Sequence, residues 1–127
     1  MKTVSVTNTT RSKNPRGEWQ AMKDDILGKE YELSLVFVGG VRAQKLNEAY
    51  RGKSYVPNVL SFPFDAKTGE IYIAPAVAKK EAQKFDLSVT GYIQYLYIHG
   101  LLHLKGMDHG GTMDKAEIKY RTKYKVH

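Results

Sequence analysis

The alternation of hydrophobic and polar residues predicts four short strands. Residues 3–7 alternate valine with polar neighbours, a period of two that is typical of a strand. Residues 31–38 are rich in β-branched and aromatic side chains and end at two glycines, which predicts a buried strand. Residues 57–64 and 70–74 predict two more strands, which a tight turn would pair as a hairpin. We expect Pro63 to keep the first of these two short.

The segments that follow the first two predicted strands show the periodicity of helices. Asn14 followed by Pro15 predicts the start of a first helix, which carries an apolar face and stops at Gly28. Residues 41–50 predict a second helix. Its buried stripe is expected to contain Val41, Leu46, Ala49 and Tyr50.

Three more helices are predicted in the second half of the chain. Residues 76–85 are amphipathic, Ser88 is a good N-cap for an apolar helix that runs to Leu104, and residues 113–124 form the last helix. The order of elements predicts an α+β fold, with a small mixed four-stranded sheet covered by about five helices.

Composition narrows the class of protein further. The chain has 127 residues, of which 42% are hydrophobic and 26% charged, so we expect residues 1–127 to form one globular domain. No apolar run approaches a membrane span or a signal peptide, and we expect a cytoplasmic protein with no membrane partner. Because there is no cysteine, any transition-metal site must use histidine or carboxylate ligands.

The charge is strongly basic and unevenly distributed. A net charge of +7 favours a polyanionic partner such as nucleic acid. Basic residues are concentrated in residues 42–53 and 115–125. Charge alone leaves two interpretations open, a solvated surface and an RNA contact.

Three of the four histidines lie within eleven residues and predict a metal site. His99 and His103 are one helical turn apart, so both imidazoles can reach one ion. A glycine after the last turn, Gly106, can reverse the chain and let His109 supply a third nitrogen. Three imidazoles leave a fourth position open to water, the arrangement of a catalytic zinc site.

The same spacing occurs in the metzincin peptidases, and the helix from Ser88 is in this sense metzincin-like. Those enzymes place their general-base glutamate where this chain has Gly100. A peptidase is therefore disfavoured among the hydrolases that could share this metal pattern.

Two parts of the sequence resemble the patterns of a known protein family. The segment HGLLHLKGMDH at residues 99–109 resembles the H-G-x-L-H-L-x-G-x-D-H signature of the YbeY family of bacterial endoribonucleases and ribosomal RNA maturation factors. LNEAYRGK at residues 46–53, NVLSFPF at residues 58–64 and GEIYI at residues 69–73 are similar to a second family pattern. Tyr55, Val56 and Pro57 replace the Pro-Thr that usually precedes the NVLSFP block.

The resemblance implies a function and a site. It implies one zinc ion per chain on His99, His103 and His109, and a catalytic arginine at Arg51. It also implies cleavage of single-stranded RNA in 16S ribosomal RNA 3′-end maturation and ribosome quality control, with ribosomal RNA and the small ribosomal subunit as partners.

Alternatives remain open at this point. A non-catalytic, RNA-binding ribosome assembly factor with a structural zinc would have the same basic surface and the same histidines. Asp108 is a candidate partner for a ligand imidazole, although an aspartate in a polar turn explains it equally well.

Overall fold

Four strands form one mixed sheet in the computed structural model, which describes residues 2–127. They are β1 (Val4–Asn8), β2 (Glu32–Phe37), β3 (Val59–Asp65) and β4 (Thr68–Ile73). Their order across the sheet is β1-β2-β4-β3. β1, β2 and β4 run parallel, and β3 pairs antiparallel with β4. The predicted hairpin and the predicted mixed four-stranded sheet are both confirmed.

Five α-helices accompany the sheet, which confirms the α+β class. They are α1 (Trp19–Leu27), α2 (Gly40–Arg51), α3 (Pro75–Glu81), α4 (Val89–Leu104) and α5 (Gly111–Lys123). The helix predicted over residues 76–85 is divided, because its last turn tightens into a 3₁₀ helix, Ala82–Phe85, before Asp86 adopts a left-handed conformation. Within residues 2–127, none of the helices has the length and apolar character needed to cross a lipid bilayer.

The core lies mainly between the sheet and α4. Ser88 caps α4 as predicted, since its side chain accepts a hydrogen bond from the amide of Gly91 at 2.9 Å. Tyr97 and Leu101 of α4 are fully buried in the main hydrophobic cluster. α1 and α5 pack beside α4. A second, smaller hydrophobic cluster includes Ala43 of α2 and Ala74, the residue before α3. This packing holds α4 firmly along its whole length.

The predicted start of α1 is wrong by several residues. The helix begins at Trp19, and the segment around Asn14 and Pro15 is not helical. The Asn14 side chain does not cap a helix, because its Oδ1 accepts a hydrogen bond from Nδ2 of Asn8 at 2.8 Å. The carbonyl of Arg16 is likewise occupied by Nε2 of Gln94, at 2.9 Å. One local and one long-range hydrogen bond therefore hold this segment outside the helix.

The buried face of α2 also differs from the expectation. Val41 and Tyr50 are 70% and 71% exposed, whereas Ala43 and Asn47 are buried. Asn47 is buried because its Nδ2 donates to the carbonyl of Tyr55 at 3.0 Å and so fixes the loop that follows the helix. The inward face of α2 therefore includes a polar residue with a specific partner.

β3 continues past Pro63, the residue that was expected to keep this strand short. It continues to Asp65 with a register irregularity between Pro63 and Asp65. β3 is an edge strand that pairs with β4 alone. An edge strand tolerates proline because only one of its sides must supply ladder hydrogen bonds.

Candidate metal centre

Two imidazoles project from the last turns of α4. His99 and His103 are four residues apart on one face, and their Nε2 atoms lie 3.0 Å from each other. The two rings are nearly perpendicular, at 84°. Because the opposite face of α4 is packed in the core, both imidazoles are held at the surface of a rigid element.

His109 reaches the same point from the loop after α4. Gly106 has a φ of +102°, the left-handed conformation that ends the helix and turns the chain back. The ring of His109 then lies 5.3 Å from that of His99 and 5.0 Å from that of His103, between centroids. One nitrogen from each of the three residues lies within 4.8 Å of the others, so the three could hold a metal ion.

The outer hydrogen bonds of the imidazoles fit a metal site. Nδ1 of His103 lies 3.0 Å from the carbonyl oxygen of Met107, and Nδ1 of His99 lies 3.3 Å from Oε1 of Glu117. Both partners are acceptors, so each Nδ1 carries the proton and each Nε2 presents a lone pair. Two lone pairs that face each other at 3.0 Å repel unless a cation lies between them.

Burial favours the neutral, metal-binding form of His99. Its side chain is only 17% exposed. This burial lowers the pKa of His99 below the usual histidine value, and it outweighs the opposing effect of Glu117. Neutral imidazole is the form that binds zinc.

Arg51 lies across a cleft from the three histidines. The cleft has a volume of about 420 Å³ and is lined by Arg51, Tyr55, residues 58–61 and the three imidazoles. Nη1 of Arg51 donates to Oδ1 of Asn47 at 3.3 Å and to the hydroxyl of Tyr55 at 3.1 Å. The structure thus brings all four residues predicted for the site to one cavity.

Comparison with known proteins agrees with this architecture. The family model described as Endoribonuclease YbeY matches residues 3–126 of the chain. The chain belongs to the YbeY family. This identification confirms the family that the two sequence blocks indicated.

Relatives named Endoribonuclease YbeY come from diverse bacteria. The chain is 38% identical to the protein of Alteromonas mediterranea over 97 residues, which cover 71% of this chain and 60% of the relative. It is 32% identical to the protein of Mesoplasma florum over 120 residues, which cover 79% and 70% of the two chains. The chain spans about 60% of the length of the Alteromonas YbeY protein.

A solved structure shows the same fold. The solution structure of a Thermotoga maritima protein superposes with a TM-score of 0.65 at 24% identity, covering 92% of this chain and 85% of the other. This similarity supports the arrangement of sheet and helices.

The structure explains why this YbeY chain has Gly100 at the position of the peptidase glutamate. A Cβ atom at Gly100 would lie 3.0 Å from Oγ of Ser61 and 3.1 Å from Cδ1 of Ile71. Position 100 therefore faces β3 and β4 at close range and has no room for a glutamate. Oγ of Ser61 donates to the carbonyl of Gly100 at 3.3 Å, which is a packing contact between helix and strand.

The imidazole partner in this YbeY chain is Glu117 on α5, and sequence reasoning missed it. Asp108 is exposed and makes no hydrogen bond to any of residues 2–127. Glu117 is 7% exposed and follows the buried Met113 by one helical turn. A carboxylate on the apolar face of a predicted helix was the signal that could have identified it, because a buried acid needs a partner.

Proposed function

We propose that this chain is a zinc-dependent endoribonuclease that cleaves single-stranded RNA. The observation that carries the proposal is the convergence of three imidazole nitrogens on a cleft that Arg51 also lines. The printed name of the related proteins, Endoribonuclease YbeY, supports the same reaction class. We further propose that the substrate is ribosomal RNA of the small subunit, in 16S 3′-end maturation and quality control, in the cytoplasm.

His99, His103 and His109 would hold one zinc ion per chain. An all-nitrogen set of three neutral ligands is the donor chemistry of catalytic zinc sites. Bound there, zinc would act as a Lewis acid and lower the pKa of a water ligand towards neutrality. Since position 100 carries no carboxylate, the chain itself offers no peptidase-type general base beside the imidazoles.

Arg51 is arranged to bind a phosphate group. Its Nη1 uses both protons on Asn47 and Tyr55, which fixes the guanidinium plane. The side chain donates to no other residue among residues 2–127, so Nε and Nη2 form a free edge with parallel donors. Such an edge matches two phosphate oxygens and would stabilise the extra negative charge of the transition state.

The net charge supports a polyanionic substrate. At +7, the chain attracts RNA through its phosphates whatever the sequence. In this proposal the positive charge attracts the RNA, and the cleft lined by Arg51 and the three histidines is where the RNA is cut. The two features together favour an RNA-cleaving enzyme over a peptidase.

The test combines metal analysis with RNA cleavage. The purified protein should contain one zinc per chain and cut a single-stranded RNA oligonucleotide. His103→Ala should lose both properties, and Arg51→Ala should keep the zinc and lose cleavage. The control is His127→Ala, which removes the one histidine outside the cluster. Salt-sensitive RNA binding without cleavage would contradict the proposal and favour the assembly-factor alternative.

A further inference from the structure

A smaller cavity opens beside the main cleft. Its volume is about 170 Å³, and it shares Asn58, Val59 and His99 with the lining of the cleft. The rest of its wall comes from Phe85, Leu96 and two tyrosines. A ligand in the cleft can therefore extend a group into this side pocket, which is large enough for one aromatic heterocycle.

A series of aromatic rings runs along the side pocket towards the histidines. Phe85 stacks on Tyr92 with centroids 5.1 Å apart and planes at 17°, and Tyr92 is followed by Tyr95 at 5.9 Å and 28°. Tyr95 in turn lies 6.3 Å from His99. Tyr92 is buried, whereas Phe85 is 53% exposed. The series thus ends in a supported phenyl ring that is accessible to a ligand.

Asn58 supplies a fixed polar group in the same pocket. Its Nδ2 donates to Oε1 of Glu81 at 3.0 Å, and the hydroxyl of Tyr92 donates to the same oxygen at 3.0 Å. Because a carboxylate accepts only, the amide cannot be turned the other way. Oδ1 of Asn58 accepts no hydrogen bond from residues 2–127, so it is available to an N–H group of a ligand.

We propose that this side pocket binds one unpaired nucleobase of the RNA next to the phosphate held in the main cleft. The base stacks on Phe85, and one of its N–H groups donates to Oδ1 of Asn58. Stacking of splayed bases on aromatic side chains is the usual way in which proteins hold single-stranded RNA. A base in a duplex cannot enter, so the pocket would contribute to selection of single strands. This inference rests on the proposed RNA substrate.

The test measures binding alone, with zinc-loaded protein and a labelled 2′-O-methyl RNA pentanucleotide. Phe85→Ala should weaken binding by about fivefold or more, the usual effect of removing a stacking residue. Phe85→Leu keeps an apolar side chain against Tyr92 but removes the aromatic face, and it should show a similar loss. The matched control is Phe64→Ala, because Phe64 is 63% exposed and lies outside both cavities.

A second series identifies the base that occupies the pocket. Five pentanucleotides, each with one abasic position, are compared with the intact oligonucleotide. One of them should bind the wild type about fivefold or more weakly than the intact oligonucleotide does. The same pentanucleotide should bind Phe85→Ala no more weakly than the intact oligonucleotide does. Equal abasic penalties in the wild type and the variant at every position would overturn the inference. So would unchanged binding by both Phe85 variants, or no binding by the wild type.

The outcomes separate this inference from the proposed function. If the protein cleaves RNA but the Phe85 variants bind normally, the side pocket is wrongly assigned and the nuclease proposal stands. If an abasic position weakens binding to the wild type but not to Phe85→Ala, and no RNA is cut, the nucleobase site stands and the nuclease proposal fails.

Discussion

Oε1 of Glu117 lies 3.3 Å from Nδ1 of His99 and so connects α5 to the imidazole cluster. Both are largely buried, since the side chain of Glu117 is 9% exposed and that of His99 is 17% exposed. The carboxylate orients the ring and increases the basicity of the nitrogen on its far side. The last helix of the chain thereby takes part in the candidate metal centre, although its residues lie outside the cleft.

Glu117→Gln should weaken metal binding without abolishing it. An amide preserves the shape of the side chain but removes the negative charge, and loss of such an outer partner typically lowers metal affinity by about 10- to 100-fold. Competition with a chromogenic zinc chelator measures the change. Glu48→Gln, an exposed substitution of the same kind on α2, serves as the control. Equal zinc affinity of Glu117→Gln and the wild type would show that Glu117 has no influence on the imidazoles.

Tyr55→Phe should slow RNA cleavage through Arg51. The variant loses the hydroxyl that receives Nη1 of Arg51 at 3.1 Å, so the guanidinium is less well fixed. Because the contact is exposed, we expect a loss of about 1 kcal/mol, or roughly fivefold in kcat, with zinc content unchanged. The control is Tyr50→Phe, since the Tyr50 hydroxyl makes no hydrogen bond to any of residues 2–127. If the two variants have the same kcat, Tyr55 does not position Arg51.

Gly100→Ala should destabilise the fold. The added methyl group would lie 3.0 Å from Oγ of Ser61 and 3.1 Å from Cδ1 of Ile71, so these packed side chains must shift by a few tenths of an ångström. Overpacking of this kind costs about 1–3 kcal/mol, reduced by the roughly 1 kcal/mol that alanine contributes to helix propensity. Urea unfolding measures the free energy.

Gly111→Ala is the matched control for Gly100→Ala. Gly111 is the first residue of α5, and a Cβ there meets no atom within 4 Å. Its stability should therefore stay the same or rise slightly. An equal response of the two variants would contradict the close approach of α4 to β3 and β4.

Asp25 should make stability depend on pH in the acid range. Hydrogen bonds from Lys123, and to a lesser extent from Tyr124, lower the pKa of Asp25 below its usual value of 3.8, against the opposing effect of burial. A depressed pKa means that the ionised form favours the folded state. Its contribution is complete above pH 3.8 and is lost as the pH falls through the folded-state pKa.

Urea unfolding of Asp25→Asn tests this dependence. The Lys123 side chain is 54% exposed, so solvent screens the pair and the variant should lose less than about 1 kcal/mol at pH 7. The difference from the wild type should shrink as the pH falls below 3.8 and through the folded-state pKa of Asp25. A difference that is independent of pH would mean that the Asp25 charge does not contribute.

Sequence periodicity predicted the order of the elements because several of them, such as β2 and α4, bury apolar side chains at regular spacing. The start of α1 could not be predicted, since it depends on hydrogen bonds from two side chains. Asn8, six residues away, bonds the Asn14 side chain, and Gln94, which is distant in sequence, bonds the carbonyl of Arg16. The buried face of α2 was missed for a similar reason. Asn47 is polar, and its inward position is satisfied by hydrogen bonds to the carbonyl of Tyr55 and from Arg51 that periodicity does not reveal.

The candidate site was more predictable than the helix boundaries. His99 and His103 follow from helical spacing, and the turn at Gly106 brings His109 to them. Glu117 and Phe85 could not be assigned in the same way, because their roles depend on how α5 and the 3₁₀ turn pack against α4. Local spacing therefore predicts the ligands, and tertiary packing determines their surroundings.

The face of α4 opposite the imidazoles carries Tyr97 and Leu101, which are at the centre of the main hydrophobic cluster. An ion held by His99 and His103 would thus be bound to a helix whose other face is part of the main core, so its binding would favour the folded state of that core. Under mass action, each tenfold excess of free ion over its dissociation constant would add about 1.4 kcal/mol to the stability of the whole chain. The melting temperature of this protein would then report how much metal its surroundings supply.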